Sequence, residues 1–399
     1  MNIGIVVDNG LNDDKRVLRE AEILKEAGHV IFVLCFSFDN KEYEKTEGID
    51  ITRISISRKL KNTLFFFMNT VPAYEWLWSA KIKEFIVTKG INALHVHDLY
   101  MSKAGWSGIK KSGRRIPIIL DLHENYPYAV TTYNWTKGFP RSILSRPWVW
   151  QKKEKEYLGY AEKIIVLSDE FRDTIIERYP ALTKDRFTVF PNVPDLYTSV
   201  PLKTFSPVTV FPRDKIVLFY FGVVAERRGI FDVLDIFEEL TKENYPLRFL
   251  IIGPVDKKDR DKFLGIINSE ALTDLVFYIP WINLSELQPY LDVADICIAP
   301  FHKNPQHESG VANKIFDYML GKKPVIASDC KPQARIIEKH YCGLIYRDKA
   351  ELRKAIQKLG ADSELRKKMG ENGYNAIVSE YNTGMMKERL TALYRDIQS

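Results

Sequence analysis

This chain has few cysteines, no long apolar run and no strong charge of one sign. The cysteines, Cys35, Cys297, Cys330 and Cys342, number four in 399 residues, and no two form a CxxC pair. That scarcity argues against a disulfide framework or a structural zinc and fits a reducing compartment. No apolar stretch approaches the roughly 18–20 residues needed to span a bilayer. The opening MNIGIVVDNG reads as a strand entering a turn, without the basic start and apolar core of a signal peptide. The expected location is the cytoplasm, and a mild net charge of +6 is compatible with peripheral contact on the inner face of the membrane. Several site motifs are missing as well: no GK[ST] phosphate loop, no GxGxxG fingerprint and no HExxH metal pair. Basic residues alternate with acids, as in KKEKE and KKDRDK, so nucleic acid is a poor partner.

What is present is a long alternation of short β-branched runs with helical patterns, the mark of parallel α/β layers. A strand is predicted over 3–7, a helix over 14–27 with Val17, Leu18, Ala21 and Leu24 on one face, and a strand over 30–35. Further strands are expected at 93–96, 117–121, 163–167 and 187–190, with helices near 64–88, 101–112, 141–160 and 168–178. After PNVPD the periodicity dissolves, and the proline-rich segment to Arg213 reads as a linker. A second series follows, with strands at 216–221, 247–252, 276–278, 295–299, 324–327 and 343–346. Helices near 350–359, 363–378 and 383–397 close the chain. A length of 399 residues exceeds what one core usually supports. The expected division is 1–205 and 206–378, each Rossmann-like, with 379–399 a helix packing back towards the first. Two open sheets facing a central cleft would bind ligands at their strand C-terminal ends.

The stretch HESGVANKIFDYMLGKKPVIAS places its charges unusually. Asn313 is a candidate N-cap for a helix whose apolar face carries Ile315, Phe316, Met319 and Leu320. Lys314 then falls in the first turn, where the macrodipole disfavours a cation unless an anion such as phosphate lies beside it. Asp317 shares that face and could accept hydrogen bonds from ligand hydroxyls; the alternative is a solvated Lys314–Asp317 pair. A second cation-bearing helix start follows Gly222, at Arg227 and Arg228 before Gly229. Two such ends favour a shared polyanion.

The first half offers the loop DNGLNDDKR, in which Gly10 permits close backbone approach, and Asp13 or Asp14 either caps the helix or touches ligand. His97–Asp98 and Asp121–Leu122–His123–Glu124 each follow a strand, which aims both histidines at the cleft. Either histidine could be structural; His123 with Glu124 could also orient or deprotonate a hydroxyl. Residues 58–86 mix Arg58, Lys59 and Lys61 with many aromatics. That mixture suits core packing, a membrane interface or a lipidic substrate.

Taken in order, these motifs resemble the retaining nucleotide-sugar glycosyltransferases of family 4, which have the GT-B fold of two Rossmann-like domains. DDKRVLREAEILKEAGHVIFVL is similar to that family's first helix, DLHEN to its histidine motif and FPNVPD to the end of its N-domain. FGVVAERRG is similar to the diphosphate loop, and ANKIFDYMLGKKPVIAS to the donor-site helix. The resemblance implies transfer of a hexose-type sugar from a nucleoside diphosphate donor to an acceptor hydroxyl with retention, in surface polysaccharide or glycoconjugate assembly. It implies no cofactor and no metal; the partners would be the donor and a glycan or lipid-linked acceptor.

Carried over by position, His123, Arg228 and Lys314 would be catalytic. Gly10, Gly222, Arg227, Arg228, Glu308, Ser309, Gly310, Val311, Ala312, Asn313, Lys314 and Asp317 would hold the donor, with Arg228 and Lys314 on its diphosphate and Asp317 on the ribose. Asn12, Asp13, His97 and Glu124 would lie on the acceptor side. The pattern departs in three places. Glu308 lies nine residues before Asp317 rather than eight, Val223 stands where an arginine is common, and Lys322 replaces a usual glycine. A nucleotide-sugar 2-epimerase of the same fold, or a non-catalytic nucleotide-sugar binding protein, is the alternative. Epimerised sugar formed from donor alone, or tight donor binding without diphosphate release, would distinguish them.

Overall fold

Continuous apolar runs fold here as strands buried on both faces, as parallel sheets require. The computed structural model describes residues 1–12, 14–39, 43–194 and 215–398. They form two units, Met1–Pro191 with Met386–Ser399, and Asn192–Met385. The expected boundary at 205/206 and the linker to Arg213 lie outside the described residues, as does Asp13.

The first unit contains β1 (Asn2–Val6), β2 (Val30–Ser37), β3 (Tyr43–Thr46), β4 (Ile49–Ser55), β5 (Ala93–His97), β6 (Ile118–Asp121), β7 (Lys163–Val166) and β8 (Phe187–Val189). They order as β3-β4-β2-β1-β5-β6-β7-β8, parallel except for the β3–β4 hairpin. The sequence reading missed that hairpin. Its two-residue turn is Glu47–Gly48 with both φ positive, at 53° and 83°, a geometry for which Asn-Gly is the usual signal. Two predicted helices are each broken by proline. The helix expected at 64–88 is Arg58–Phe66 followed by Ala73–Lys89, with Pro72 at the second N-cap. The helix expected at 141–160 is Arg141–Ser145 and Val149–Gly159, with Pro147 between them.

The second unit contains β9 (Ile216–Phe221), β10 (Leu247–Ile252), β11 (Val276–Ile279), β12 (Ile296–Ala299), β13 (Val325–Ser328) and β14 (Gly343–Tyr346). Their order is β11-β10-β9-β12-β13-β14, all parallel. Ligand sites in such sheets form beyond strand C-termini, beside helix starts. The last helix, Thr383–Gln398, belongs mostly to the first unit: Tyr394 Oη lies 2.9 Å from His95 Nδ1, and Arg389 donates to the Val189 carbonyl. All four cysteines are buried free thiols. Among the described residues no helix is long and apolar enough to cross a membrane.

Candidate active site

In the second unit, β9 ends at Gly222, whose φ of 132° suits glycine. A Cβ added there would lie 3.0 Å from Lys314 Nζ, so the ammonium sits directly on this backbone. Gly253, after β10, packs against Gly222 so closely that its Cβ would meet the Gly222 carbonyl at 2.1 Å. Gly229 has φ 72° and would drive a Cβ to 1.6 Å from the Pro300 carbonyl. These three glycines bring the ends of β9, β10 and β12 against the helix Asn313–Leu320.

That helix corrects one expectation. Its N-cap is Ala312, and Asn313 is its first residue, exposed and making no cap. The chain enters it extended at Ala312 (φ −65°, ψ 128°), which leaves the first-turn amides without a side-chain acceptor. Lys314 stands in this turn, buried, its Nζ without a hydrogen-bond partner. Tyr220 and Phe301 hold it by their ring faces, at 3.7 and 5.1 Å. Arg228 lies over Phe301 at 5.0 Å, and its Nε also lacks a partner. Neither cation has an ion-pair partner among the described residues. Burial and the Arg228 charge hold the Lys314 pKa well below the lysine range. Burial and then the Arg227 charge lower the Arg228 pKa, against an opposing pull from Tyr220. Asp317, one turn on, is pushed up to about 7 by burial, against the pull of Lys314. Cations desolvated without counter-charge are what an anion site looks like before its anion arrives.

The neighbouring loop is folded by its own side chains. Asn304 Oδ1 accepts from the amides of Gln306 and His307, and buried Ser309 donates to the Gln306 carbonyl. This brings Gly310, Val311 and Ala312 to the helix start. Glu308 is otherwise engaged: its Oε1 accepts from Lys331 N at 2.8 Å, at the start of the helix Lys331–His340, whose N-cap Cys330 offers no side-chain bond. Arg227 is exposed in the short turn Glu226–Arg228, next to Arg228. Lys322 does adopt a glycine-like φ of 56°.

The first unit holds a second, denser cluster at the ends of β1, β5 and β6. Asp121 receives Arg16 Nε at 2.7 Å and Nη2 at 2.8 Å, and Arg16 Nε is 3.1 Å from Glu20. His97 Nδ1 lies 2.9 Å from His123 Nε2, and both rings approach Asp121 Oδ2, at 3.4 and 3.3 Å. His95 Nε2 and His97 Nε2 lie 3.5 and 3.9 Å from Glu20 Oε2 without a hydrogen bond to it, which leaves these buried polar atoms unpartnered among the described residues. Burial opposes charge on His123, but Asp98 and Asp121 outweigh it and raise its pKa to about 9. Burial lowers His95 and His97, and raises Asp98 to about 6. His97 is wholly buried, so it acts on His123 and not on a ligand. Glu20, His95, His97 and Asp121 offer donor atoms all within 4.8 Å of one another, a set that could hold a metal ion. Arg16 already places a positive charge on both carboxylates.

Near this cluster, Asp8 accepts from Tyr74 at 2.7 Å and lies 2.9 Å from Tyr100 Oη, and Tyr133 donates to Glu124. Asp14 settles its own alternative by capping: it accepts from Val17 N and from Asn9 Nδ2. The left-handed residue of that loop is Leu11 (φ 67°) and not Gly10, whose added Cβ would make only ordinary contact with Phe38 at 3.7 Å. Arg53 ties the loop down through the Gly10 carbonyl and Asn12 Oδ1. A cavity of about 490 Å³ opens there, lined by Asn9, Gly10, Asn12, Phe38, Arg53 and Arg58.

Tyr220, Phe301, Gly253, Arg16, Glu20 and His95 are members of these clusters that sequence reasoning did not single out as site residues. A signal existed for His95, which shares a face of a buried strand with His97 two residues on.

Comparison with known proteins accounts for both halves. Residues 15–196 match the family model "Glycosyltransferase Family 4", and residues 203–376 match "Glycosyl transferases group 1". An alpha-D-kanosaminyltransferase of Streptomyces kanamyceticus is 24% identical over 187 residues, 46% of each chain. The chain thus spans about half the length of the curated relatives it matches first. A sucrose-phosphate synthase of Thermosynechococcus elongatus superposes with a TM-score of 0.74 at 19% identity, over 100% of this chain and 99% of that one. HepE of Anabaena, solved in complex with UDP, superposes with a TM-score of 0.70 at 12% identity, over 99% and 100%. With two parallel-sheet units and a family model matched on each half, the chain belongs to the GT-B glycosyltransferases of family 4.

Proposed function

We propose that the chain transfers a hexose-type sugar from a nucleoside diphosphate to an acceptor hydroxyl, with retention of anomeric configuration, in glycan or glycoconjugate assembly. One observation carries the reading: Lys314 and Arg228 are desolvated, without anionic partners, at an uncapped helix start. The diphosphate would lie against Lys314, Arg228, Arg227 and the backbone from Ser309 to Asn313, with Gly222 allowing close approach. Asp317 would accept from the ribose hydroxyls. As the bond between the anomeric carbon and the diphosphate oxygen breaks, the leaving oxygen gains negative charge, and these cations and helix amides stabilise it. The acceptor oxygen forms the new bond on the same face, and its proton passes to the departing diphosphate oxygen. No metal is required for that charge balance. On the acceptor side, His123, held charged by Asp98 and Asp121, would orient hydroxyls together with Glu124, Asn12 and Gly10.

A thermal-shift screen of UDP, GDP, ADP and their sugars tests the donor assignment, because a ligand bound only to the folded state raises apparent stability. Proton NMR of the product from the stabilising donor then reads the anomeric configuration. Absence of any nucleotide-dependent shift, or turnover unchanged in Arg228→Ala at saturating donor, would sink the reading.

A further inference from the structure

The basic-aromatic stretch 58–86 divides on inspection. Tyr74, Trp78, Ile82, Phe85 and Ile86 are core residues, and Phe65 packs edge-on against Tyr74 and Tyr100. For these, core packing is the answer. The helix Arg58–Phe66, in contrast, buries no residue fully, and Leu60 is half exposed.

The end of this stretch is tied to a distant segment. Thr70 donates to the Leu144 carbonyl at 2.8 Å, Asn69 donates to the Ser145 carbonyl at 3.0 Å, and Lys153 donates back to Asn69. Around the short helix Arg141–Ser145, large apolar side chains stand in solvent: Phe139 is 86% exposed, Ile143 56% and Trp148 46%, with Leu144 and Val71 beside them at 39% and 46%. Isolated exposed apolar residues need no explanation; several on one joined surface do.

Charge supplies the second observation. Residues 51–74 and 125–153 contain no aspartate or glutamate, where the chain's average would place about seven. They contain nine basic residues, among them Arg58, Lys59, Lys137, Arg141 and Arg146. Protein interfaces are depleted in lysine at their cores. Exposed apolar side chains on segments that carry cations and no acid of their own match the headgroup boundary of an anionic bilayer.

We infer that this face of the first unit, built from residues 58–71 and 137–148, docks peripherally on an anionic lipid surface. Phe139, Ile143, Leu144 and Trp148 enter the headgroup region, and the flanking lysines and arginines meet the lipid phosphates. This inference stands apart from the glycosyl-transfer reading, since it concerns neither the diphosphate site nor the histidine cluster.

Sedimentation of the full chain with vesicles tests it, using phosphatidylcholine alone against an equimolar mixture with phosphatidylglycerol. The expected result is binding to the mixed vesicles only, weakened by salt. In Phe139→Ser/Ile143→Ser/Trp148→Ser the partition coefficient should fall by ~10-fold or more. In Arg141→Gln/Arg146→Gln the preference for anionic lipid should shrink. Circular dichroism and a UDP thermal shift, run on every variant, separate a folding defect or a lost donor site from lost docking. Wild-type protein left in the supernatant of the mixed vesicles, or a folded triple variant that binds like wild type, would overturn the inference. Self-association by sedimentation velocity that disappears in the triple variant would also overturn it, assigning the face to a second copy.

Discussion

Lys314→Met should make the protein without ligand more stable and a poor binder of nucleotide. Methionine matches the length of lysine without its charge and fills the slot between Tyr220 and Phe301 as well as the lysine stem does. An uncompensated buried ion costs several kcal/mol. The two ring faces return about 0.5–2 kcal/mol each, and partial loss of the proton, favoured by burial and by Arg228, limits the remainder. The relief on substitution is therefore about 1–3 kcal/mol, a rise in Tm of roughly 2–10 °C for a unit of this size. Binding moves the other way. A charged hydrogen bond to phosphate contributes about 1.5–3 kcal/mol, so affinity for the nucleoside diphosphate should fall about 10–150-fold. Differential scanning fluorimetry reads the first change, and isothermal titration calorimetry with UDP, GDP and ADP the second. A lower Tm with nucleotide binding intact would refute the reasoning, because it would make Lys314 a satisfied structural lysine.

Four further outcomes follow from the same distances. Nucleotide binding near pH 8.5, where Asp317 with its pKa of about 7 is already ionised, should take up protons as the diphosphate restores charge to Lys314; binding enthalpies in buffers of different ionisation heat check this, and Lys314→Met should abolish it. His123 has a folded pKa raised to about 9 over an ordinary value near 6.5, so the stability it adds is complete below ~6.5 and is lost as pH rises through ~9. Unfolding free energies from denaturant titrations across that window should fall by up to roughly 3 kcal/mol in wild type relative to His123→Gln. Gly229→Ala must displace the Pro300 carbonyl at a left-handed position and should cost about 2–4 kcal/mol, whereas Gly10→Ala, which meets only Phe38 at 3.7 Å, should stay within about 1 kcal/mol by urea denaturation. Arg16→Met removes the counter-charge of buried Asp121 and should cost about 3–5 kcal/mol by the same measurement, with the loss reduced in Arg16→Met/Glu20→Gln, which removes the neighbouring acid.

How much of this was legible beforehand depended on whether a residue's oddity was local. Apart from β3 and β4, the strands of both sheets read directly, since a parallel strand covered on both faces must be apolar along its length. The β3–β4 hairpin did not read, because half its residues face water and Glu47–Gly48 is a weak turn signal. Pro72 and Pro147 marked the helix breaks in plain view, yet the apolar spacing ran through them and masked the stop. Lys314 was legible because its charge opposes the dipole of its own helix, a conflict contained in a few residues. Its aromatic cage was not: Tyr220 is the last residue but one of β9 and Phe301 follows β12, and an aromatic near a strand end looks like any core residue.

The histidine cluster shows the same limit from the other side. Glu20 looks like a polar residue on an amphipathic helix, and nothing local says that it faces His95 and His97 across the sheet. Burial and Asp121 push its carboxyl well above the usual carboxylate range, against the pull of Arg16, which is itself bonded to Asp121 more than a hundred residues away. A reading of one helix would assign Arg16 and Glu20 to a surface ion pair worth little. Packed as they are, they share Asp121 with His123: Asp98 and Asp121 hold the histidine charged while the Arg16 charge pulls the other way, so a residue that resembles ordinary helix solvation bears on the protonation of the site. Asp98 sharpens the point: it carries φ 70° beside that same histidine, held by its amide on the Asp121 carbonyl at 2.9 Å. Strain and buried charge converge where sequence periodicity is silent, which is where chemistry, rather than folding, selected the residues.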